Sequence, residues 1–192
     1  MPSMTAYTPI TDAHLPEGHL VRWATWDGTH HDTTTVRWEN EGFTIDGHLT
    51  RERVDYVLRV SPTWQVRQFI LFRDLEEPDL WLATDGAGRW GEMNGAHRTE
   101  LDGCYDIHLA CTPFTTTLPI RRLPLLEGHT AEVPVAAVDT DTLEVASVVH
   151  RYTRVASHRW RIETGQPSTA VDVDVDEHGL VLDYPGRFRR MS

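Results

Sequence analysis

Three side chains able to ligate a metal or move a proton, Cys104, Asp106 and His108, occupy alternate positions of one short segment. Tyr105, Ile107 and Leu109 fill the positions between them, the period-two pattern of a strand with one buried face. Thiolate, carboxylate and imidazole all suit zinc, but residues four apart on a strand lie about 13 Å from one another. Cys104 and His108 therefore cannot share an ion, and a metal would need Asp106 with one neighbour plus His30, His31 or Asp32 from elsewhere. Isolated histidines more often pack or hydrogen-bond, so no metal site is assigned. Cys104 or Cys111 as nucleophile would need a base and an electropositive setting that the sequence does not supply, and no catalytic residue is assigned. Asp172, Asp174 and Asp176 alternate with valines, and Glu177 stands where a calcium loop requires glycine, so they read as a solvated strand face.

Two further groups bear on ligands. Arg121 and Arg122 are adjacent; taken as strand residues they face opposite ways, so at most one points into a hollow. Such an arginine can clamp an anion or sugar hydroxyl at the mouth of an apolar cavity, or it can lock the segment down by pairing with Asp102 or Asp106. The chain also has seven tryptophans. Trp23, Trp38, Trp64, Trp90 and Trp160 are candidates to line a cavity, since aromatic faces suit sugar rings, with ordinary core as the alternative.

The elements that must position these groups are strands. The spacing predicts strands over 20–27 (with Trp23 and Trp26 on opposite faces, hence covered on both sides), 36–40, 43–51, 54–60 and 64–72. In the last, Trp64, Val66, Ile70 and Phe72 share a face and Arg67 lies opposite. Residues 28–32 read as a loop. Hairpin 80–93 follows, then strands 131–138, 143–155, 157–163 and 169–175, with 180–184 closing the meander. Thr112-Pro113 ends the strand at 104–110, and Pro119 breaks the chain again. Between them 114–118 fits one helical turn, with Thr112 as N-cap and Pro113 at the first helical position. Helical periodicity over ten or more residues is absent, so the expectation is an all-β, mainly antiparallel fold with at most one or two short helices. Residues 1–18 read as an N-terminal arm and 19–192 as a single domain.

The block 101–123, LDGCYDIHLACTPFTTTLPIRRL, resembles the signature of a bacterial family known as the putative glycolipid-binding proteins, formerly a domain of unknown function. Gly103-Cys104-x-Asp106, Thr112-Pro113-x-Thr115 and Leu118-Pro119-Ile120-Arg121-Arg122-Leu123 carry the likeness. Trp64-x-x-Arg67, Gly88-Arg89-Trp90, Arg151-Tyr152 and 179–186 extend it along the chain. His108 replaces a second aspartate of the pattern, and Thr116 an asparagine. The resemblance implies a spiral β-roll, similar to bacterial lipid and lipoprotein carriers that hold a lipid between a curved sheet and a lid. On that basis Trp64, Arg67, Trp90, Asp106, His108, Arg121, Arg122 and Tyr152 are the expected ligand-binding residues. Thr112 to Leu123 is the expected lid or plug.

A chain of 192 residues, 40% of them hydrophobic, is long enough to bury a core without disulfides or metal. Cys104 and Cys111, about 23 Å apart on an extended strand, are expected as free thiols. A formal charge of −11 argues against nucleic acid and anionic membrane surfaces. No apolar stretch approaches the ~20 residues of a membrane span, and the first 18 residues have no apolar signal region; a cytoplasmic protein without cofactor is expected. The leading functional expectation is a module binding an amphiphile or glycolipid. The alternatives are an enzyme using Asp106, His108 and Arg121 or Arg122, and a structural or interaction domain with a filled core.

Overall fold

Apolar residues at every second position give the chain its strands, and a computed structural model describes how they pair over residues 7–10, 17–74, 77–165 and 167–192. In order they are β1 (His19–Thr25), β2 (His31–Glu39), β3 (Gly42–Leu49), β4 (Val54–Val60), β5 (Val66–Phe72), β6 (Leu80–Thr84), β7 (Trp90–Glu92) and β8 (Asp106–Leu109), then helix α1 (Phe114–Arg122). After the helix come β9 (Thr130–Val138), β10 (Val145–Ala156), β11 (Arg159–Thr164), β12 (Thr169–Asp174) and β13 (Phe188–Arg190). They form a curled eight-stranded sheet, β13-β1-β2-β3-β4-β5-β6-β7, and a five-stranded sheet, β12-β11-β10-β9-β8. The fold is all-β and mainly antiparallel, as the alternation predicts. Of the arm at 1–18, residues 1–6 and 11–16 lie outside the described residues. Residues 7–10 dock: Ile10 is buried in the core, and Thr8 N–H donates to Glu177 O.

One pairing is parallel, β8 with β9, in the register Asp106↔Val135 to Leu109↔Val138. A parallel pair cannot be joined by a hairpin and needs a crossover, and α1 is that crossover. The helix begins within one residue of the expected place: Pro113, with helical dihedrals, is its N-cap in place of Thr112, and Thr112 Oγ1 accepts from Phe114 N–H at 3.1 Å. The predicted break at Pro119 does not occur, and the helix runs through it to Arg122. Proline removes one helical hydrogen bond there, while burial of Phe114, Leu118 and Ile120 holds the turn in place. Every residue from Phe114 to Ile120 is buried, so α1 lies inside the molecule. Phe114 and Leu118 pack with Trp23, Ile45, Leu58, Phe69 and Trp90 in the core of the larger sheet. Ile120 joins Val133, Val135, Tyr152, Trp160 and Ile162 in the core of the smaller one.

Other expectations are corrected. β1 buries one face only: Val21 and Trp23 are buried, whereas Leu20 is 48% and Trp26 39% exposed. β2 begins at His31, inside the expected loop, because its partner β3 extends the ladder to Asp32↔Leu49. In β5 a bulge shifts the register from Arg59↔Gln68 to Val60↔Val66. The extra residue changes the phase, so Phe69 and Leu71 join Val66 in the core in place of Ile70 and Phe72. Residues 180–184 contribute only isolated bridges, one of them Val181 to Val175 just beyond β12 of the smaller sheet, and the closing strand is β13, which pairs with β1 at the edge of the larger sheet, Trp23↔Arg190. The C-terminal segment thus ties the two sheets together, with Trp23 Nε1–H donating to Val181 O at 3.0 Å.

Candidate functional site

Arg121 and Arg122 form the last turn of α1 rather than part of a strand, and the helix delivers them to different partners. Arg122 turns inward onto Asp106, donating from Nε at 3.2 Å and from an Nη at 2.5 Å. Asp106 is fully buried, and burial drives its pKa up while the two bonds from Arg122 pull back against it. The pair therefore locks α1 to β8, the strand that precedes it.

Arg121 turns outward. Its guanidinium lies 4.7 Å above the Trp64 ring and donates to Thr8 O and His178 O, at 3.2 and 2.6 Å. Gly179 makes that approach possible, since a Cβ there would meet Arg121 Cδ and the Tyr7 ring at 3.0 Å, and its φ of +77° suits glycine. Trp64 has a φ of +64°, a costly conformation for a bulky residue that the surrounding packing must hold. Its buried Nε1–H has no acceptor among the described residues, an omission worth about 1–3 kcal/mol.

These groups border an open groove of about 320 Å³ at the C-terminal end of α1. Trp64 and Arg121 stand with Tyr7, Arg154 and Trp160, and Ile120, Leu123 and Leu125 supply an apolar wall. Tyr7 OH accepts from Trp160 Nε1–H at 2.8 Å, and Arg154 donates to Leu125 O and Ser157 O. Trp160 was a candidate for cavity lining, whereas Tyr7, Arg154 and Leu125 were not among the expected site residues. Arg154 had a readable signal, because it continues the phase of His150 and Tyr152 on the buried side of β10. Tyr7 had none, lying in a stretch without periodicity.

The remaining expected residues divide. Tyr152 is fully buried near the Arg122–Asp106 pair and Thr116, the residue that replaces asparagine in the family pattern, and burial pushes its pKa up. Arg67 lies apart, exposed and donating to Asp85 O. Trp90 is core, with Nε1–H on Cys104 O at 2.8 Å. His108 meets His150 edge to face at 4.5 Å, and burial pushes both pKa values down, to about 3 and about 4. Of the tryptophans considered as cavity lining, Trp23 and Trp90 are core, Trp64 and Trp160 are buried side chains bordering the groove, and Trp38 is 46% exposed. Cys104 and Cys111 are free thiols. Asp172 and Asp176 pair with Arg161 and Arg190.

A second cavity, about 650 Å³, opens at the other end of α1, beside Asp32, Cys111 and Arg187. Asp32 is 3% exposed and receives the hydroxyls of Thr34, at 3.0 Å, and of Thr112, the residue just before the helix's N-cap. Burial raises its pKa to about 7, against those two bonds. The folded value lies above the unfolded one, so the protonated acid stabilises the fold fully below pH ~4, and that contribution fades as pH rises through 7. Asparagine mimics the protonated acid. Asp32→Asn is therefore expected to flatten the pH dependence of urea stability between pH 4 and 7 by up to about 1.4 kcal/mol per unit. An unchanged slope would contradict it.

The fold and groove define an all-β protein whose curled sheet and smaller sheet enclose a buried helix, with an aromatic and arginine-lined groove at that helix's exit. The chain belongs to the family described as "Putative glycolipid-binding", whose model matches residues 20–190. The crystal structure of a DUF1089 family protein from Pseudomonas aeruginosa is similar. It is 32% identical with a TM-score of 0.70, over 83% of this chain and 92% of that one. No curated protein matches the chain. Among the described residues no helix is long and apolar enough to cross a membrane.

Proposed function

We propose that this protein binds an amphiphile of the glycolipid class, with the polar head in the groove at Trp64 and Arg121 and the apolar part along Ile120, Leu123 and Leu125. The observation that carries this reading is that aromatic, arginine and aliphatic residues line one groove at the end of the buried helix, with Tyr7, Arg121, Leu123 and Leu125 half-buried there over the buried Trp64 and Trp160. Aromatic rings suit the faces of sugar rings, guanidinium groups their hydroxyls, and the wall an acyl chain. In this reading Arg122, Asp106 and Tyr152 position α1 rather than touch the ligand, and α1 is the plug. Tryptophan fluorescence titration with dodecyl maltoside, together with native mass spectrometry of the protein as expressed, tests it. Saturable quenching that weakens at least several-fold in Trp64→Leu is expected. Absence of any bound or bindable amphiphile would count against it.

One observation favours a second reading, a structural or interaction domain: the interior is filled by α1's own side chains. An acyl chain longer than the groove would have to displace part of the helix. The two readings separate on hydrogen exchange, because ligand in the groove should slow exchange at 120–125 only in the first.

A further inference from the structure

The amphiphile reading of the groove leaves the charge of the head open, and the groove itself addresses it. Its described lining contains three arginines and no carboxylate, in a chain whose formal charge is −11. Of these, Arg122 is neutralised by Asp106, and elsewhere on the molecule arginines meet acids likewise: Arg190 with Asp176, Arg161 with Asp172, Arg98 with Glu92 and Glu100. Arg121 differs. Among the described residues it forms no ion pair within 4.0 Å; its bonds go to two carbonyls and its face to Trp64. The carboxylate whose charge acts on it, Asp176, is already engaged by Arg190 at 3.0 Å and by the N–H groups of His178 and Leu180 at 2.9 Å. Burial lowers the pKa of Arg121 to about 10, the mark of a cation drawn out of water without its counter-charge. Beside it the Trp64 N–H lacks an acceptor among the described residues.

A neutral sugar answers only part of this arrangement, since its hydroxyls supply acceptors but no charge. We infer that the head held in the groove is anionic, a phosphate or carboxylate carried on an amphiphile, with Arg121 as its counter-ion and the aromatic and aliphatic wall receiving the rest. This rests on the amphiphile reading above and narrows it. The whole-chain charge repels anions at long range, so the preference must come from the groove and respond to salt.

The test compares four probes on the full chain by tryptophan fluorescence, each below its micelle concentration. They are lysophosphatidylglycerol (anionic), lysophosphatidylcholine (zwitterionic), dodecyl maltoside (neutral) and inorganic phosphate. At low salt the anionic lysolipid is expected to bind about tenfold or more tighter than dodecyl maltoside, and the ratio should shrink at about 0.5 M NaCl. Arg121→Gln should narrow that ratio several-fold, and Arg121→Lys should keep most of it. If Arg121→Gln fails to fold, the salt dependence of the unaltered chain and the lysine variant decide. Equal affinity for anionic and neutral probes overturns the charge inference and leaves the amphiphile reading standing. Absence of binding by every amphiphile removes both. Inorganic phosphate binding as tightly as the lysolipid overturns the assignment to a lipid head, in favour of a free-anion site.

Discussion

Phe114→Ala is expected to lower the unfolding free energy by about 3–5 kcal/mol, the range for truncating a buried phenylalanine. The side chain is fully buried at the first position of α1, packed into the core of the larger sheet. Removing it takes away the apolar area and leaves a void that neighbours fill only in part, because two sheets hold the helix on either side. The loss should appear as a fall in the urea midpoint with the m-value unchanged. The same variant examines α1 as a plug. If the helix occupies space that an acyl chain could use, the void should raise affinity for dodecyl maltoside even as stability falls. A loss of less than about 1 kcal/mol would show that α1 is less tightly packed than its burial implies.

The second large effect comes from the charge pair at the other end of the helix. Arg122→Leu leaves Asp106 buried without its cation, and an uncompensated charge of this kind costs about 3–5 kcal/mol. The cost should grow with pH. The lone carboxyl keeps a pKa raised by burial, so its protonated form stabilises the fold at low pH and that contribution is lost as pH climbs through the folded value. Urea midpoints at pH 5 and pH 8 therefore differ more in this variant than in the parent chain. The double substitution Asp106→Leu with Arg122→Leu should recover most of the loss, because two apolar residues leave no buried charge. A double variant no more stable than Arg122→Leu would mean that the pair contributes through shape rather than charge.

What could be read in the sequence depended on how local its cause was. Thr112 beside Pro113 favours a helix start from local causes, since the hydroxyl and the fixed proline φ act within three residues. Strands announced themselves by alternation for the same reason. Errors arose where a distant partner set the outcome. The bulge in β5 depends on the register with β4, and β13 is a strand because β1 offers it an edge. The helix passes through Pro119 because two cores close around it.

The groove shows the same division more sharply. The chain's own order brought Arg121 and Arg122 to the end of one short helix, and the acidic residue that Arg122 needed lay 16 positions earlier. Trp64 and Arg67, three positions apart in one motif, part company at the bulge. Tyr7, Trp64, Arg121 and Arg154 meet across four separate stretches of chain. The sequence by itself determined the all-β class and the place where the helix begins, because those follow from spacing and backbone preference over a few residues; that the helix carries on through Pro119 to Arg122 was decided by packing. Only the tertiary structure decided which arginine is neutralised and which faces a groove, because ion pairing and burial are settled by whichever groups long-range packing brings within a few ångströms.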